Sequence, residues 1–489
     1  MKPKLILIFL TFLLLFSCNK WMELLPPEGL TREEFWKTKE DVQSVVMGAY
    51  AAFASMDGLL FKFGEMRADL VKGGTSLSLD EQKIMAGNIY PDNTVCTWTQ
   101  FYKVINYCNE IIKNAPVVQS KDKTFSDYLL KGYLSEAYFL RSLTYFYLVR
   151  IYKDVPLVLE PTESDNSDIY MPKTDGDSIL THIVSDLQSI RPYATYDYPT
   201  LKESKGRATK GAIDALLADI SLWRFDYTSC ISYVQNIEAS NIYKLMPSSK
   251  WFDLYFPGNT LESIFEMQYD NSLLQKNSTY DLTNHNAYMY VPSDKVVTMF
   301  TRTDDQREIV RGNGSIAKNT TNDYTIWKYV GYSPDGKSVR PSTILNSCGF
   351  IVYRYADVLL MKAEALSQLG QYPEALQIIN EIRDRAGVPS VINLANSARD
   401  YENTILDERA LELAFEGKRW FDLLRMGRRN NYSRKLELID IIVSNVPSNQ
   451  KRILKIKLAN PLGWYMPIYK LELERNLNLV QNPYYYVSQ

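Results

Sequence analysis

The chain has 489 residues, with 55 basic and 57 acidic side chains, a formal charge of −2 and two histidines. With 46% hydrophobic and 23% charged residues it has the composition of a folded globular protein, and it is long enough for a large core. The near-neutral charge argues against a nucleic-acid interface, and two distant histidines exclude a His-rich metal centre and argue against a His-based triad. Tyrosine outnumbers phenylalanine 35 to 19, which suits amphipathic surfaces and binding clefts as well as cores.

The N-terminus has the features of an export signal. Lysines precede an apolar run from Leu5 to Phe16, which is too short to span a bilayer, and Cys18 stands directly behind this run. A cysteine in this position resembles the bacterial lipobox, in which the cysteine is lipidated after cleavage. We therefore predict a signal peptide over 1–17 and a lipid anchor at Cys18. The alternatives are an ordinary secretory signal with a chance cysteine, or an uncleaved anchor.

The pattern from 31 to about 239 is mostly helical. A helix capped by Ser126 is predicted to run to about Tyr152, because its apolar residues recur at i, i+3, i+4, i+7 and i+8. Further helices are expected over 209–223 and 228–239. Paired antiparallel helices are therefore the predicted building unit.

Four cysteines lie beyond the anchor. No CxxC or Cys/His cluster occurs among them, so metal ligation has little support. Disulfides are conceivable in an exported chain, but one of this length does not need them, and we favour free, buried thiols. These residues are Cys96, Cys108, Cys230 and Cys348.

Helical periodicity breaks down between about 241 and 349. Ser263 to Tyr269 is predicted to form a strand, because apolar residues alternate with polar ones; elsewhere Asn, Ser, Thr, Gly and Pro favour turns. A loop region of this length is more often functional than not. Part of the tyrosine excess is concentrated here.

The clearest repeat unit spans 354–387. One helix is expected from about Ala356 to Leu369, ending at Gly370, and Pro373 suits the first turn of the next helix, which ends before Gly387. The length of 34 residues and the spacing of small residues match a tetratricopeptide repeat. One such pair cannot bury its own faces, so further degenerate pairs are expected, with 130–152 and 209–239 as candidates.

Three glutamates, Glu408, Glu412 and Glu416, recur every four residues. Two carboxylates on one helical face could be a glycosidase acid and base. Because Arg409, Lys418, Arg419 and Arg425 are close in sequence, we favour a salt-bridged helix face.

Several motifs together resemble one family, the SusD/RagB surface lipoproteins of Bacteroidetes-type nutrient uptake systems. The most specific match is LDERALELAFEGKRWFDLLRMG at 406–427. The sequence departs from the family pattern at Lys153, Tyr469 and Tyr484. The other matching motifs are SEAYFLRSLTYFYLVRIYKDVPLV (135–158), GRATKGAIDALLA (206–218), RYADVLLMKAEALSQLG (354–370), INEIRDRAG (379–387) and MPIYKLELERNLNLVQNPYY (466–485).

The resemblance implies a mainly α fold: a right-handed superhelix of tetratricopeptide-like helix pairs with a large irregular loop region and a few short strands. It implies a binding protein that is not an enzyme, has no cofactor or metal, and passes oligosaccharides, or in some members peptides, to a SusC-like TonB-dependent transporter. It would be anchored in the outer membrane and face the cell surface. The expected regions are 1–17, 18–240, 241–350 and 351–489.

The predicted ligand site combines exposed aromatics, which stack on sugar rings, with polar groups that bind the hydroxyls. Packing under a loop is the alternative for each aromatic. The open functional alternatives are a peptide-binding subunit, a hydrolase using Glu412 and Glu416, and a scaffold whose concave face binds partner peptides. The candidate site residues are Arg67, Asp69, Trp251, Tyr288, Tyr290, Tyr324 and Trp327.

Overall fold

The computed structural model describes residues 35–162, 170–273, 275–283, 289–301, 309–318, 323–340, 348–392 and 394–486. The predicted signal peptide, Cys18 and Tyr288 lie outside these ranges. The described chain is mainly helical, as expected. The helices are α1 (Lys39–Ala54), α2 (Asp57–Glu65), α3 (Leu79–Met85), α4 (Thr99–Lys121), α5 (Asp127–Tyr152), α6 (Gly176–Ile190), α7 (Leu201–Gly206), α8 (Lys210–Trp223), α9 (Tyr227–Ala239), α10 (Ser278–Thr283), α11 (Asp294–Phe300), α12 (Ile309–Ser315), α13 (Tyr355–Gln368), α14 (Tyr372–Ala386), α15 (Ala398–Glu412), α16 (Arg419–Tyr432), α17 (Lys435–Ser444), α18 (Ser448–Leu458) and α19 (Lys470–Arg475).

Short strands form antiparallel pairs between distant parts of the sequence. β1 (Val71–Gly73) pairs with β3 (Tyr290–Pro292), with Lys72 opposite Val291. β2 (Ser263–Met267) pairs with β6 (Phe350–Arg354), and β4 (Ile316–Lys318) pairs with β5 (Tyr324–Ile326). These sheets fasten loops to the helical body instead of forming a layer of their own.

The predicted helix starts are confirmed by their caps. The Ser126 hydroxyl accepts from the backbone N–H of Leu129 at the start of α5, and Thr209 caps α8 in the same way through Ala212. Such caps satisfy N–H groups that have no partner inside the helix. α4 packs on α5 and α8 packs on α9, so adjacent helices form the expected pairs.

The predicted repeat pair is confirmed as α13 and α14. Gly370 and Gly387 both have positive φ, which ends each helix at little steric cost. Ala363 and Ala375 are fully buried, and small side chains there let the two helices approach closely. Tyr401 and Ile405 of α15 complete this smaller core.

The described part of the region 241–349 contains more regular structure than the sequence suggests, since it contributes α10–α12 and β2–β5. β2 occurs as predicted, but all five of its residues are buried, including Glu266. The Glu266 carboxylate accepts a hydrogen bond from the Ser263 hydroxyl at 2.9 Å. Burial raises the pKa of Glu266 to about 7. The polar residues of β2, which the alternation predicts to face solvent, are therefore buried, and hydrogen bonds offset the cost of burying Glu266.

One large core draws residues from the whole described chain, from Trp36 to Tyr485. The stretch Lys39–Glu65 is apolar and long enough to cross a membrane, but half of it is buried inside the protein as α1 and α2. The cysteines at 96, 108, 230 and 348 are buried free thiols, as favoured from the sequence. Burial raises the pKa of the Cys96 thiol to about 12, so it is unreactive near neutral pH.

Candidate functional site

Three of the predicted ligand-binding aromatics are core residues. Trp251, Tyr290 and Trp327 are 2%, 1% and 3% exposed. The Tyr290 hydroxyl donates to Glu81 at 2.9 Å, and the Trp327 indole N–H donates to the carbonyl of Ser333 at 2.7 Å. For these side chains the structure supports the packing alternative, because their ring faces contact protein.

Tyr324 is half-buried on β5, where the Lys318 ammonium lies 5.5 Å from its ring. β5 packs against β3, the strand that carries Tyr290.

Asp69 is fully buried as one partner of an ion-pair cluster. Its carboxylate accepts from Arg419 at 2.7 Å and from Lys295 at 2.5 Å. Burial alone would raise the pKa of Asp69, but the two cations lower it to about 2. The side chain is occupied in joining the loop after α2 to α16 and α11.

Arg67 lies close by but points into a cleft. Its guanidinium donates to the carbonyls of Trp464 at 2.6 Å and Gly463 at 2.7 Å, and it stacks 4.3 Å from the centre of the Trp420 ring. Burial lowers the pKa of Arg67. Among the residues that the structure describes, no carboxylate pairs with this guanidinium.

Glu412 and Glu416 belong to a network of ion pairs that we call the buried ion-pair network. Arg354 contacts Glu262 at 2.6 Å, Glu412 at 2.7 Å and Glu416 at 2.9 Å, and Lys328 contacts Glu416 at 2.9 Å. All five side chains are fully buried.

The same ion pairs test the hypothesis that Glu412 and Glu416 are the catalytic acid and base of a hydrolase. Burial would raise the pKa values of Glu412 and Glu416, but the surrounding cations lower both. A glycosidase acid needs a raised pKa and access to substrate. The pair has neither, so the hydrolase alternative is excluded.

The predicted salt bridges are present, but most of their partners differ from those that the sequence suggested. Arg409 pairs with Asp357 at 2.9 Å, Arg419 pairs with Asp69, and Arg425 pairs with Glu364 at 2.7 Å. These partners come from other elements, whereas the sequence suggested neighbours one turn away on the same helix; one such neighbour is present, since Arg425 also pairs with Asp422 at 3.0 Å.

Two adjoining cavities open beside Arg67. They measure about 440 and 240 Å³ and share Arg67, Met85, Asn88 and Ile442. One wall is the segment 66–90, which includes β1 and α3, and the other is formed by α17, α18 and the turn at Gly463. We call this feature the basic cleft.

Close backbone contacts hold the first wall in place. A Cβ on Gly64 would lie 1.9 Å from the carbonyl oxygen of Gly417, so only glycine permits this approach. The Glu65 carboxylate then accepts from the N–H of Gly417 at 2.9 Å. The loop carrying Arg67 is therefore attached to the turn between α15 and α16.

The second wall is set by α18. Leu454 and Leu458 are buried on one face of this helix, and the Lys457 ammonium donates to the carbonyl of Gly87 at 3.0 Å. Gly87 has positive φ, and a Cβ there would lie 2.5 Å from Leu454, so glycine allows α18 to pack against the end of α3.

The cleft combines features that suit a sugar. Tyr90, 42% exposed, offers an aromatic face at its edge. Gln82, Asn88, Asn445 and Gln450 supply amide donors and acceptors for hydroxyl groups.

The sequence-based candidates include Arg67 but miss the other cleft residues. Tyr90 lies outside the aromatic-rich region 241–349, and α18 gave no family motif. One signal was available: the segment KRILKIK at 451–457 concentrates basic residues on one short helix.

Within the described ranges, no group of three or more His, Cys, Asp or Glu side chains is arranged to hold a metal ion. The cleft therefore offers aromatic, amide and cationic groups as its binding chemistry.

Two family profiles together match nearly the whole chain. The profile of the SusD family matches residues 219–485, and one described as starch-binding, associating with outer membrane, matches residues 20–222. The chain belongs to the SusD family. SusD proteins are non-catalytic binding proteins associated with the outer membrane.

Similar proteins extend over almost the full length. SusD-like protein P38 of Formosa agariphila is 28% identical over 481 residues, covering 86% of this chain and 92% of that protein. The crystal structure of a SusD superfamily protein from Bacteroides vulgatus has a TM-score of 0.78 at 21% identity, covering 92% of this chain and 100% of the other. Surface glycan-binding protein A of Bacteroides uniformis has a TM-score of 0.73 at 23% identity, covering 91% and 100%. The fold is thus the SusD fold.

Proposed function

We propose that this protein captures glycans at the cell surface and passes them to a SusC-like TonB-dependent transporter of the outer membrane. The observation that carries this proposal is an open cleft with sugar-binding chemistry in a chain that belongs to the SusD family. The name of the Bacteroides uniformis relative, a surface glycan-binding protein, supports glycans as the ligand class.

The cleft provides the two kinds of contact that sugar recognition needs. Tyr90 can stack on the apolar face of a sugar ring, while the side-chain amides of Asn88 and Gln450 line the same cleft and can hydrogen-bond to hydroxyl groups. An open cleft also allows release, which a delivery protein requires. The mechanism is therefore capture by modest, distributed contacts followed by transfer.

The anchor completes the proposed topology. Lipidation of Cys18 would hold the protein at the membrane beside its transporter. We expect Cys18→Ala to appear in the soluble fraction of cells, whereas the wild type fractionates with outer membranes. Membrane retention of the variant would overturn the proposed anchor and leave the ligand class untouched.

The ligand class is tested by binding measurements on the purified protein. We expect binding to at least one member of a polysaccharide panel, measured by affinity electrophoresis and calorimetry, and none to a casein peptide digest. Binding to peptides alone would replace the proposed function with peptide uptake.

The transporter partner is tested in cells. Co-purification with a TonB-dependent barrel is expected, and loss of glycan uptake on deletion of the gene would follow from it. Uptake at the wild-type rate without the protein would contradict the delivery role.

A further inference from the structure

The charges that line the basic cleft all have one sign. Arg67, Lys72, Lys83 and Lys457 line it, and none of the residues described along its walls is aspartate or glutamate. Two other cavities of the molecule are lined by both acidic and basic side chains. One has Glu472 beside Arg475, and the other has Glu203 beside Lys202 and Arg207.

Nearby carboxylates compensate only part of this charge. Lys72 lies 2.6 Å from Asp294, whose side chain is largely in solvent, and Lys83 lies 4.0 Å from Asp80. Such exposed pairs are weak and are readily exchanged for another anion.

The remaining two cations contact only neutral groups. Arg67 donates to the carbonyls of Gly463 and Trp464, and Lys457 donates to the carbonyl of Gly87 and to the Asn88 side chain. In the described part of the chain, neither has a carboxylate partner. A half-buried cation without a counter-ion favours an anion that enters the cleft.

The helix that forms one wall strengthens this potential. From Ser448 to Leu458, α18 contains Lys451, Arg452, Lys455 and Lys457 and no acidic residue. Lys455 is paired with Asp440 at 2.6 Å on the outer face, whereas Lys457 faces the cleft. A cleft whose wall has a single sign of charge raises the local concentration of oppositely charged ligands.

We propose that the glycan bound in this cleft is acidic, and that its carboxylate or sulfate groups contact Lys457 and Arg67 while Tyr90 stacks on a sugar ring. This inference rests on the proposed glycan-binding function and specifies its substrate class. Uronates and sulfated sugars share the required chemistry, an anionic oxygen on a sugar ring.

The test compares three polysaccharides with the purified protein in calorimetry: polygalacturonate, which carries carboxylates, iota-carrageenan, which carries sulfates, and laminarin, which is neutral. We expect binding to one of the two anionic polymers at 50 mM NaCl, and roughly tenfold weaker binding at 500 mM NaCl, because salt screens these contacts. The preferred anionic polymer identifies the group that is recognised.

A matched pair of variants locates the contact. Lys457→Gln removes a cleft-facing charge and is expected to weaken binding to the anionic polymer roughly tenfold, the typical effect of losing one charge-assisted hydrogen bond. Lys455→Gln removes the same charge two residues away on the outer face and is expected to change affinity less than twofold. Circular dichroism establishes that both variants remain folded.

The outcomes separate this inference from the proposed function. Salt-insensitive binding to laminarin that Lys457→Gln leaves unchanged would overturn the acidic ligand while supporting glycan capture. Equal losses in both lysine variants would overturn the cleft as the site. Binding to peptides and to no polysaccharide would overturn both proposals.

Discussion

The buried ion-pair network and the basic cleft differ in whether their cations have carboxylate partners. In the network, Arg354 and Lys328 are surrounded by carboxylates at hydrogen-bonding distance and no ligand can reach them. In the cleft, Arg67 and Lys457 have only carbonyl and amide partners and face open space. The comparison teaches that the most recognisable motif of the chain serves stability, while the charges available to a ligand come from segments without a family motif.

The largest expected effect is in the network. Replacing Arg354 with Met leaves Glu262, Glu412 and Glu416 buried without their shared cation, which we expect to lower the free energy of unfolding by about 3–5 kcal/mol. Urea denaturation followed by circular dichroism measures this. Arg399→Met, which breaks an exposed pair with Glu437, is the control and is expected to cost less than about 1 kcal/mol. Equal small losses would mean that the network contributes little to stability.

The next effect depends on pH. Because the pKa of Asp69 is lowered to about 2 in the folded protein from 3.8, its ionised form stabilises the fold by about 2 kcal/mol above pH 5. This contribution is lost as the pH falls from 5 to 2. Asp69→Asn is therefore expected to be less stable than the wild type at pH 7, with a difference that narrows below pH 4. Denaturant titrations at pH 7, 5 and 3 measure it, and a constant difference would contradict the assignment.

A smaller effect is expected on binding. Tyr90→Ala removes the aromatic face at the cleft edge and is expected to weaken binding of the glycan found in the panel about fivefold, or about 1 kcal/mol, without changing stability. Tyr128→Ala, which removes a tyrosine that is 73% exposed on α5, is the matched control. If both variants bind like the wild type, Tyr90 does not contact the ligand.

The smallest effect separates the two regions most directly. Lys457→Gln removes a cation that has no carboxylate partner in the described chain, so we expect the free energy of unfolding to change by less than about 1 kcal/mol. The same urea denaturation that tests Arg354→Met measures this value. A loss similar to that of Arg354→Met would make Lys457 a structural residue and would remove the contrast between the two regions.

Local sequence signals predict the helices well because their causes are local. Ser126 and Thr209 cap helices with their own side chains, and Gly370 and Gly387 end helices through their own backbone conformation. The 241–349 region is less predictable, because β2 pairs with β6, which lies about 85 residues away in sequence. The alternation of apolar and polar residues in β2 suggested that Glu266 faces solvent, but the pairing buries it.

The candidate site is predicted less completely. Arg67 follows from the MRADLVKGG segment, but Trp251 and Trp327 carry the same sequence signal as binding aromatics and lie in the core. Composition cannot distinguish these cases, because a tryptophan suits a cleft and an interior equally well.

The sequence by itself determined the family, the helix pairs, the short C-terminal repeat and the expectation of a non-catalytic binding protein. It did so because long motifs and helix ends depend on neighbouring residues. The tertiary structure alone decided that Glu408 and Glu412 are ion-paired to Arg311 and Arg354, and that Arg67 and Lys457 line one cleft. Both depend on contacts between residues that are far apart in sequence, which no local pattern records.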